Sequence, residues 1–468
     1  MKNWDVIMKR TLIKNATILS VDPDIGNILG GDILIEGSKI VKIGKHILAD
    51  EAEIIDATNC IAIPGFVDTH RHTWEALLRN AGPDWSLAQY LTAVRTIMGD
   101  IYTPEDMYVG NLLGALDSLD SGTTTLFDWS HNNNSPEHVD AAIQGLTESG
   151  IRGVFGYGNS NPEWQVPNDL SSNFNDMKRV RKNILSSDDA LVTMAAAPRG
   201  PQFTTIENTI NDFQVARELG LRLSIHVGDG LWGMSKPIVD MKKHGLLGED
   251  VTYVHCNTLA DEEFKLIGDS GGHTSISPEI EMQMGHGMPP ALRMLACGIR
   301  PSISSDVVTT TPCDFFNAMR HLISGTRLMV YQIAISKNKL VDPLPLTSRD
   351  ALEFATIRGA AACGLDHKVG SLKPGKQADI VLVSTDYLNL IPINNPVAAV
   401  VEFANVGNID TVMVAGEVKK RHGKLVGLDF PSFRKKVESA RDGLFARAGV
   451  PTDGSWIVKP YTEGLSEF

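Results

Sequence analysis

The feature that most constrains this chain is a repeated alternation. Beginning at Ile61, short apolar runs at 61–68, 123–129, 151–157, 191–198, 221–227, 251–256, 272–278 and 299–305 are separated by longer stretches. Several of the intervening segments, such as 104–121, 206–219 and 289–297, carry helical spacing. Eight strand–helix alternations predict an α/β chain, and they suit a closed (β/α)8 TIM barrel better than an open doubly wound sheet. No glycine-rich dinucleotide or phosphate loop follows the first run, which speaks against the nucleotide-binding folds.

Both ends of the chain read differently. Residues 12–19, 32–37 and 39–44 are short alternating strands punctuated by Gly and Asn, and the strand pattern returns at 380–384 and 409–414. This predicts a small composite β-sandwich domain formed from both chain ends. The expected division is 1–62 and 370–426 for the two halves of that sandwich, 63–369 for the barrel, and 427–468 for a C-terminal helix (431–448) and tail.

Composition removes several classes of function. A net charge of −13 and a pI of about 5.5 oppose binding to a phosphate backbone. The basic clusters Lys178-Arg179-Val180-Arg181-Lys182 and Lys419-Lys420-Arg421 read as ordinary solvated surface. The five cysteines include no Cys-x-x-Cys pair, so neither a disulfide framework nor a thiolate zinc site is expected. Residues 1–17 lack a signal-peptide core, and no apolar run reaches the ~20 residues of a membrane helix. A cytoplasmic protein with no nucleic-acid or membrane partner is expected, and a homo-oligomer is the usual state of such proteins.

The chemistry concentrates at strand ends. The segment Pro64-Gly65-Phe66-Val67-Asp68-Thr69-His70-Arg71-His72 stands where the first barrel strand, read as Ile61-Ala62-Ile63, should finish. Two residues apart on extended backbone, His70 and His72 point the same way. Two imidazoles at the C-terminal mouth of a barrel make half of a metal site. A lone His-x-His arises by chance, but three more apolar runs end in a ligand-type residue: His226, His255 and Asp306. A polar strand end bonded to its own loop explains any one of them. It does not explain all five in the expected places.

At these residues the chain resembles the amidohydrolase superfamily, and the resemblance covers nearly its whole length. Ser121-Gly122-Thr123-Thr124-Thr125 and Val369-Gly370-Ser371-Leu372-Lys373-Pro374-Gly375-Lys376-Gln377-Ala378-Asp379 support it. It is most similar to the branch holding S-adenosylhomocysteine, oxoguanine and cytosine deaminases and the triazine chlorohydrolases. The resemblance implies one divalent metal, zinc or iron, on His70, His72, His226 and Asp306, with His255 beside it. Binuclear members carry a bridging lysine or glutamate on strand four. Here that strand reads Leu191-Val192-Thr193-Met194-Ala195-Ala196-Ala197-Pro198, so a mononuclear site is implied.

The implied reaction is hydrolysis by a metal-activated water, with a nearby acid/base moving the proton to the leaving nitrogen. The similar deaminases place a glutamate three residues after the strand-five histidine. This chain has Asp229 there, which is one methylene shorter and is the candidate shuttle. Strand seven departs as well. Glu279 and Glu281 in Ser277-Pro278-Glu279-Ile280-Glu281 could replace the glutamate, bind a substrate amino group, or merely face solvent. Trp74, Glu75 and Trp85 follow the first histidines and are candidate substrate contacts, with core packing the rival account of Trp74. Arg199, after strand four, could hold a carboxylate or ring oxygen. His131 and Trp129 are weaker candidates, and His46, His138, His244, His367 and His422 read as surface.

Three functions fit these residues. The first is a hydrolase cutting a carbon–nitrogen bond by deaminating an aminated N-heterocycle. The second keeps the site and cuts a cyclic amide, a urea or a carbon–halogen bond, an option that the Asp229 departure keeps open. The third is a non-catalytic binding barrel, which the complete ligand set disfavours.

Overall fold

A computed structural model describes residues 9–159 and 171–453. The tail after 453, the start of the region read for a signal peptide, and the outermost parts of the expected end segments lie outside the described residues. Eight parallel strands run in consecutive order: Phe66–Arg71, Thr123–Ser130, Arg152–Gly158, Val192–Ala197, Leu223–Val227, Val251–His255, His273–Ile276 and Ser302–Ile303. Helices such as Pro104–Asp120, Pro136–Ser149 and Ile206–Glu218 connect them. Thr103 and Asp106 form a reciprocal cap at the start of Pro104–Asp120, with Pro at its first turn, so that boundary is written locally.

The last strand reaches the first at the site itself. The Asp306 N–H donates to the His70 carbonyl at 3.0 Å, and the His72 N–H donates to the Asp306 carbonyl at 3.0 Å. Below this junction hydroxyls zip the strands: Thr69 Oγ1 lies 2.7 Å from Ser275 Oγ and 2.9 Å from Ser302 Oγ, and Ser277 Oγ lies 2.8 Å from Ser304 Oγ. Asp68 accepts from both the backbone and the hydroxyl of Ser305, which holds the segment that carries Asp306.

One expected boundary moves. Ile61-Ala62-Ile63 belongs to strand Cys60–Pro64, which pairs antiparallel with Ile380–Ser384, and the first barrel strand is Phe66–Arg71. Gly65 makes the break. A Cβ there would stand 2.0 Å from the Thr124 hydroxyl, so only glycine lets the chain pass so close to the second strand. An apolar run across two sheets looks continuous in sequence because both stretches are buried.

The two chain ends form one nine-stranded sheet, with Cys60–Pro64 at its centre between Arg10–Leu19 and Ile380–Ser384. Its own apolar core includes Ile13, Ile33, Ile35, Ile380, Leu382 and Met413. The segment leading into Ile380–Ser384 is threaded along the other end of the chain: Leu372 N–H donates to Ser20, Gly375 N–H to Ile40 and Ala378 N–H to Ser38. Asp379 then accepts two hydrogen bonds from buried Arg152 at the start of the third barrel strand, at 2.8 and 2.9 Å. No helix among the described residues is long and apolar enough to cross a membrane.

Candidate active site

The C-terminal ends of the strands point four imidazoles and one carboxylate at a common centre. Asp306 Oδ1 is 3.2 Å from His70 Nε2 and 3.6 Å from His72 Nε2, and its Oδ2 is 3.9 Å from His255 Nε2. His226 completes the ring, its centroid 4.7 Å from that of His70. Ligand-type atoms of His70, His72 and Asp306 lie within 4.8 Å of one another, as do those of His70, His226 and His255. His255 and Asp306 take positive φ values of 71° and 58°, as does Cys256 at 60°. Such backbone strain in non-glycine residues concentrates at functional sites.

The protonation states suit a cation. His70 is fully buried, yet neither ring nitrogen makes a hydrogen bond. The Nδ1 of His72 lies 2.8 Å from the Trp129 carbonyl, which can only accept, so the lone pair stays on Nε2. Burial, reinforced by the neighbouring imidazoles, holds His72 and His226 well below the usual histidine range and therefore neutral. Burial opposes ionisation of Asp306, but the close approach of the His70, His255 and His72 imidazoles holds its carboxyl well below the usual range. Neutral imidazoles around an ionised carboxylate are the donor set that imidazole-preferring divalent cations take.

His255 differs. Burial resists its charge, but the Glu281 hydrogen bond and the carboxylates of Asp306 and Asp229 push it up to about 9. Glu281 is fully buried behind it, and both its oxygens are occupied. Oε1 accepts from the Ser277 N–H at 2.7 Å and from His255 Nδ1 at 3.2 Å, and Oε2 accepts from Asn257 Nδ2 at 3.0 Å. Carboxylates in this relation orient a ring and raise its basicity. We expect Glu281→Gln to lower turnover by about 10–100-fold, the usual effect of losing such a partner. Steady-state rates on a stably folded variant check this, and unchanged turnover would refute an orienting role.

Above this floor opens a pocket of about 740 Å³ including its mouth. Leu87, Tyr90, Leu91, Trp129, Phe203 and Met284 give it apolar walls, and Arg95, His131, Asn159, Arg199, Asp229 and His286 supply polar groups. The Trp129 ring stands 4.4 Å from that of His226. His131 stacks on His72 at 3.8 Å and accepts the Trp74 indole N–H on Nδ1 at 3.1 Å. That bond places the proton of His131, a ring kept neutral by burial, on Nε2 as a donor.

The structure therefore separates the sequence candidates. Arg199 and Asp229 line the pocket, whereas Trp74, Glu75, Trp85, Glu279 and Glu281 do not. Trp74 is turned into the core against Tyr102, and Trp85 is buried in the same core. Glu75 is buried beneath Tyr90, whose hydroxyl donates to it at 2.7 Å, and burial pushes its carboxyl up to about 8. Glu279, on helix Pro278–Met284, is turned toward helix Phe315–Ser336, 4.0 Å from His321. His286 was not singled out from sequence. It lies ten residues past the seventh strand, beyond helix Pro278–Met284, so it lacks the strand-end signal of His226 and His255 and is marked only by the flanking Gly285 and Gly287.

A model of the amidohydrolase family matches residues 61–419, most of the chain. The chain belongs to the amidohydrolase family. This amidohydrolase is 28% identical over 452 residues to a 5'-deoxyadenosine deaminase of Methanobrevibacter smithii, covering 92% of this chain and 98% of that protein. It is 28% identical over 444 residues to a 5-methylthioadenosine/S-adenosylhomocysteine deaminase of Caldicellulosiruptor saccharolyticus, covering 92% and 97%. Its fold matches a zinc-bound adenosine deaminase from Xanthomonas campestris with a TM-score of 0.82 at 20% identity, over 93% of this chain and 98% of that one. It also matches the zinc complex of atrazine chlorohydrolase from Arthrobacter aurescens, with a TM-score of 0.81 at 20% identity, over 92% and 100%. The protein is thus a hydrolase of carbon–nitrogen bonds whose site suits a divalent metal.

Proposed function

We propose that this amidohydrolase deaminates an aminated N-heterocycle with one divalent cation, zinc or iron, held by His70, His72, His226 and Asp306. The observation that carries the reading is fully buried His70, which makes no hydrogen bond at either ring nitrogen amid that donor set. When bound there, a divalent cation lowers the pKa of water to about 7 and makes a nucleophile available at neutral pH.

The side chains supply the rest. Ionised Asp306 accepts a hydrogen bond from the attacking water and orients it. His255, charged and held by Glu281, offers its Nε2–H where negative charge develops on the attacked ring. Asp229 lines the pocket and offers a carboxylate that can take part in moving the proton to the leaving nitrogen. The flat ring lies among Trp129, Tyr90 and Phe203, which exclude water, and the fixed Nε2–H of His131 meets a ring nitrogen or oxo group. The relatives act on 5'-deoxyadenosine and 5-methylthioadenosine, so adenine derivatives head the candidates.

The test is ammonia release from metal-loaded protein across aminated purines, pyrimidines, pterins and triazines. Turnover should vanish on chelation and return with added zinc or iron. Silence across the panel with metal demonstrably bound would sink the reading. Asp229 favours a second reading at the same site: a short carboxylate suits a leaving group that departs without a proton, such as chloride. Chloride release from chlorinated rings, with the amines inert, would select it.

A further inference from the structure

One polar cluster in the pocket is left over once His70, His72, His226 and Asp306 are accounted for. His286, on the loop after the seventh barrel strand, is 3% exposed, and neither ring nitrogen has a hydrogen-bond partner. Asp229 is 2% exposed, and its Oδ1 has none either. Ligand-type atoms of Asp229, His255 and His286 all lie within 4.8 Å of one another, and all three residues line the pocket. Buried polar groups without partners are exceptions in folded proteins, and each calls for an explanation such as strain, a bound water or ion, or a catalytic role.

The pair is held rigidly. The Gly230 N–H donates to the His286 carbonyl at 2.8 Å, and the Thr258 N–H donates to the Gly228 carbonyl at 2.8 Å. The loops after strands five, six and seven are thereby tied together around the two side chains. His255, the third member, has its Nδ1 committed to Glu281. Burial and the charge of His255 push the His286 imidazolium down to about 4, so the resting ring is neutral, with one nitrogen open to a proton.

Hydrolytic deamination must carry a proton from the attacking water to the departing nitrogen, and Asp229 is one methylene shorter than the glutamate expected for that task. We propose that His286, paired with Asp229, is the proton-transfer group of this site. A water O–H bond breaks, its proton goes to the open nitrogen of His286, and the Asp229 carboxylate stabilises the imidazolium. The water oxygen bonds to the ring carbon. His286 then protonates the amino nitrogen, the carbon–nitrogen bond breaks, and ammonia leaves a hydroxy-substituted ring whose remaining water proton shifts from oxygen to the ring nitrogen to give the oxo form. The electron pairs and protons balance with water as the only co-reactant.

This inference rests on the deaminase reading, and the experiment separates the two. Wild type, His286→Ala, His286→Asn and Asp229→Asn are loaded with zinc and assayed on a ring that the wild type deaminates. Each is assayed in parallel on the same ring bearing chloride, and bound metal is measured in every protein. His286→Ala should lose about 10²-fold or more in ammonia release, as general acid–base groups do. It should lose far less in chloride release, keep its metal, and recover ammonia release with added imidazole. Equal losses on both leaving groups, or unchanged deamination, would overturn the proposal. So would loss of a second equivalent of metal in His286→Ala, which would assign the trio to a cation instead. A wild type silent on every amino ring would sink the deaminase reading, and this proposal with it.

Discussion

Asp306→Asn should leave the barrel folded while removing nearly all hydrolytic activity. The side chain is near-isosteric, and the backbone bonds that close the strand junction, Asp306 to His70 and His72 to Asp306, do not involve it. What is lost is charge at the centre of the site. The carboxylate stands 3.2 Å and 3.6 Å from two imidazole nitrogens and faces a third at 3.9 Å, buried and held ionised. An amide there presents a neutral oxygen or an N–H to those rings, which weakens any cation and no longer accepts firmly from the attacking water. Metal catalysis contributes several kcal/mol, and each factor of ten in rate is about 1.4 kcal/mol, so the loss should be roughly 10³-fold or more. Bound metal should fall in parallel. The checks are metal analysis, ammonia release under saturating substrate, and a thermal transition close to that of the wild type. An active, fully metallated variant would remove Asp306 from the site.

Asp379→Ala should act in the opposite way, damaging stability and sparing catalysis. Asp379 accepts two hydrogen bonds from Arg152 and one from the Ala415 N–H at 2.8 Å. The side chains of Arg152 and Asp379 are 7% and 2% exposed. Truncation strands a buried guanidinium and an unsatisfied N–H at the seam between the barrel and the composite sheet. Breaking a buried pair in this way costs about 3–5 kcal/mol. Arg152 opens the third strand, at the end of the barrel opposite the mouth, and distant sites couple weakly. The kcat/KM of the folded variant should therefore stay within about threefold of wild type. Denaturant unfolding should show the loss in the first transition. A transition unchanged to within about 1 kcal/mol would mean that the seam relaxes around Arg152.

These two aspartates show where the sequence could be read and where it could not. Asp306, His226 and His255 each end an apolar run, and a strand's end projects its side chain toward the barrel mouth whatever the rest of the chain does. His70 and His72 are legible for the same reason, since period-two backbone sets their shared direction. The alternation that predicted the barrel is equally local. Asp379 was quoted as part of a motif, but its partner Arg152 is 227 residues away, and nothing in either neighbourhood names the other.

The misplaced first strand has the same origin. Ile61-Ala62-Ile63 is as apolar as a barrel strand, and only the close approach of Thr124 to Gly65 reveals that the chain changes sheets there. Trp74, Glu75 and Trp85 follow the His70-x-His72 segment in sequence, yet short 3-10 and irregular segments carry them, and contacts with Tyr102, Tyr90 and the core set their directions. Glu281 carries an acidic side chain that looks solvated in sequence and is fully buried behind His255. His286 sits on a loop whose place in the pocket depends on backbone bonds to the loop after strand five.

The sequence by itself determined the (β/α)8 barrel, the sheet assembled from both chain ends, and the five ligand-type residues at its strand ends. Each is written in a local repeat or a strand terminus, where the backbone alone sets side-chain direction. Only the tertiary structure decided which carboxylates reach the pocket, which imidazoles are held neutral, and which aromatic rings line its walls. Those directions come from contacts between segments far apart in the chain, and no local pattern encodes them.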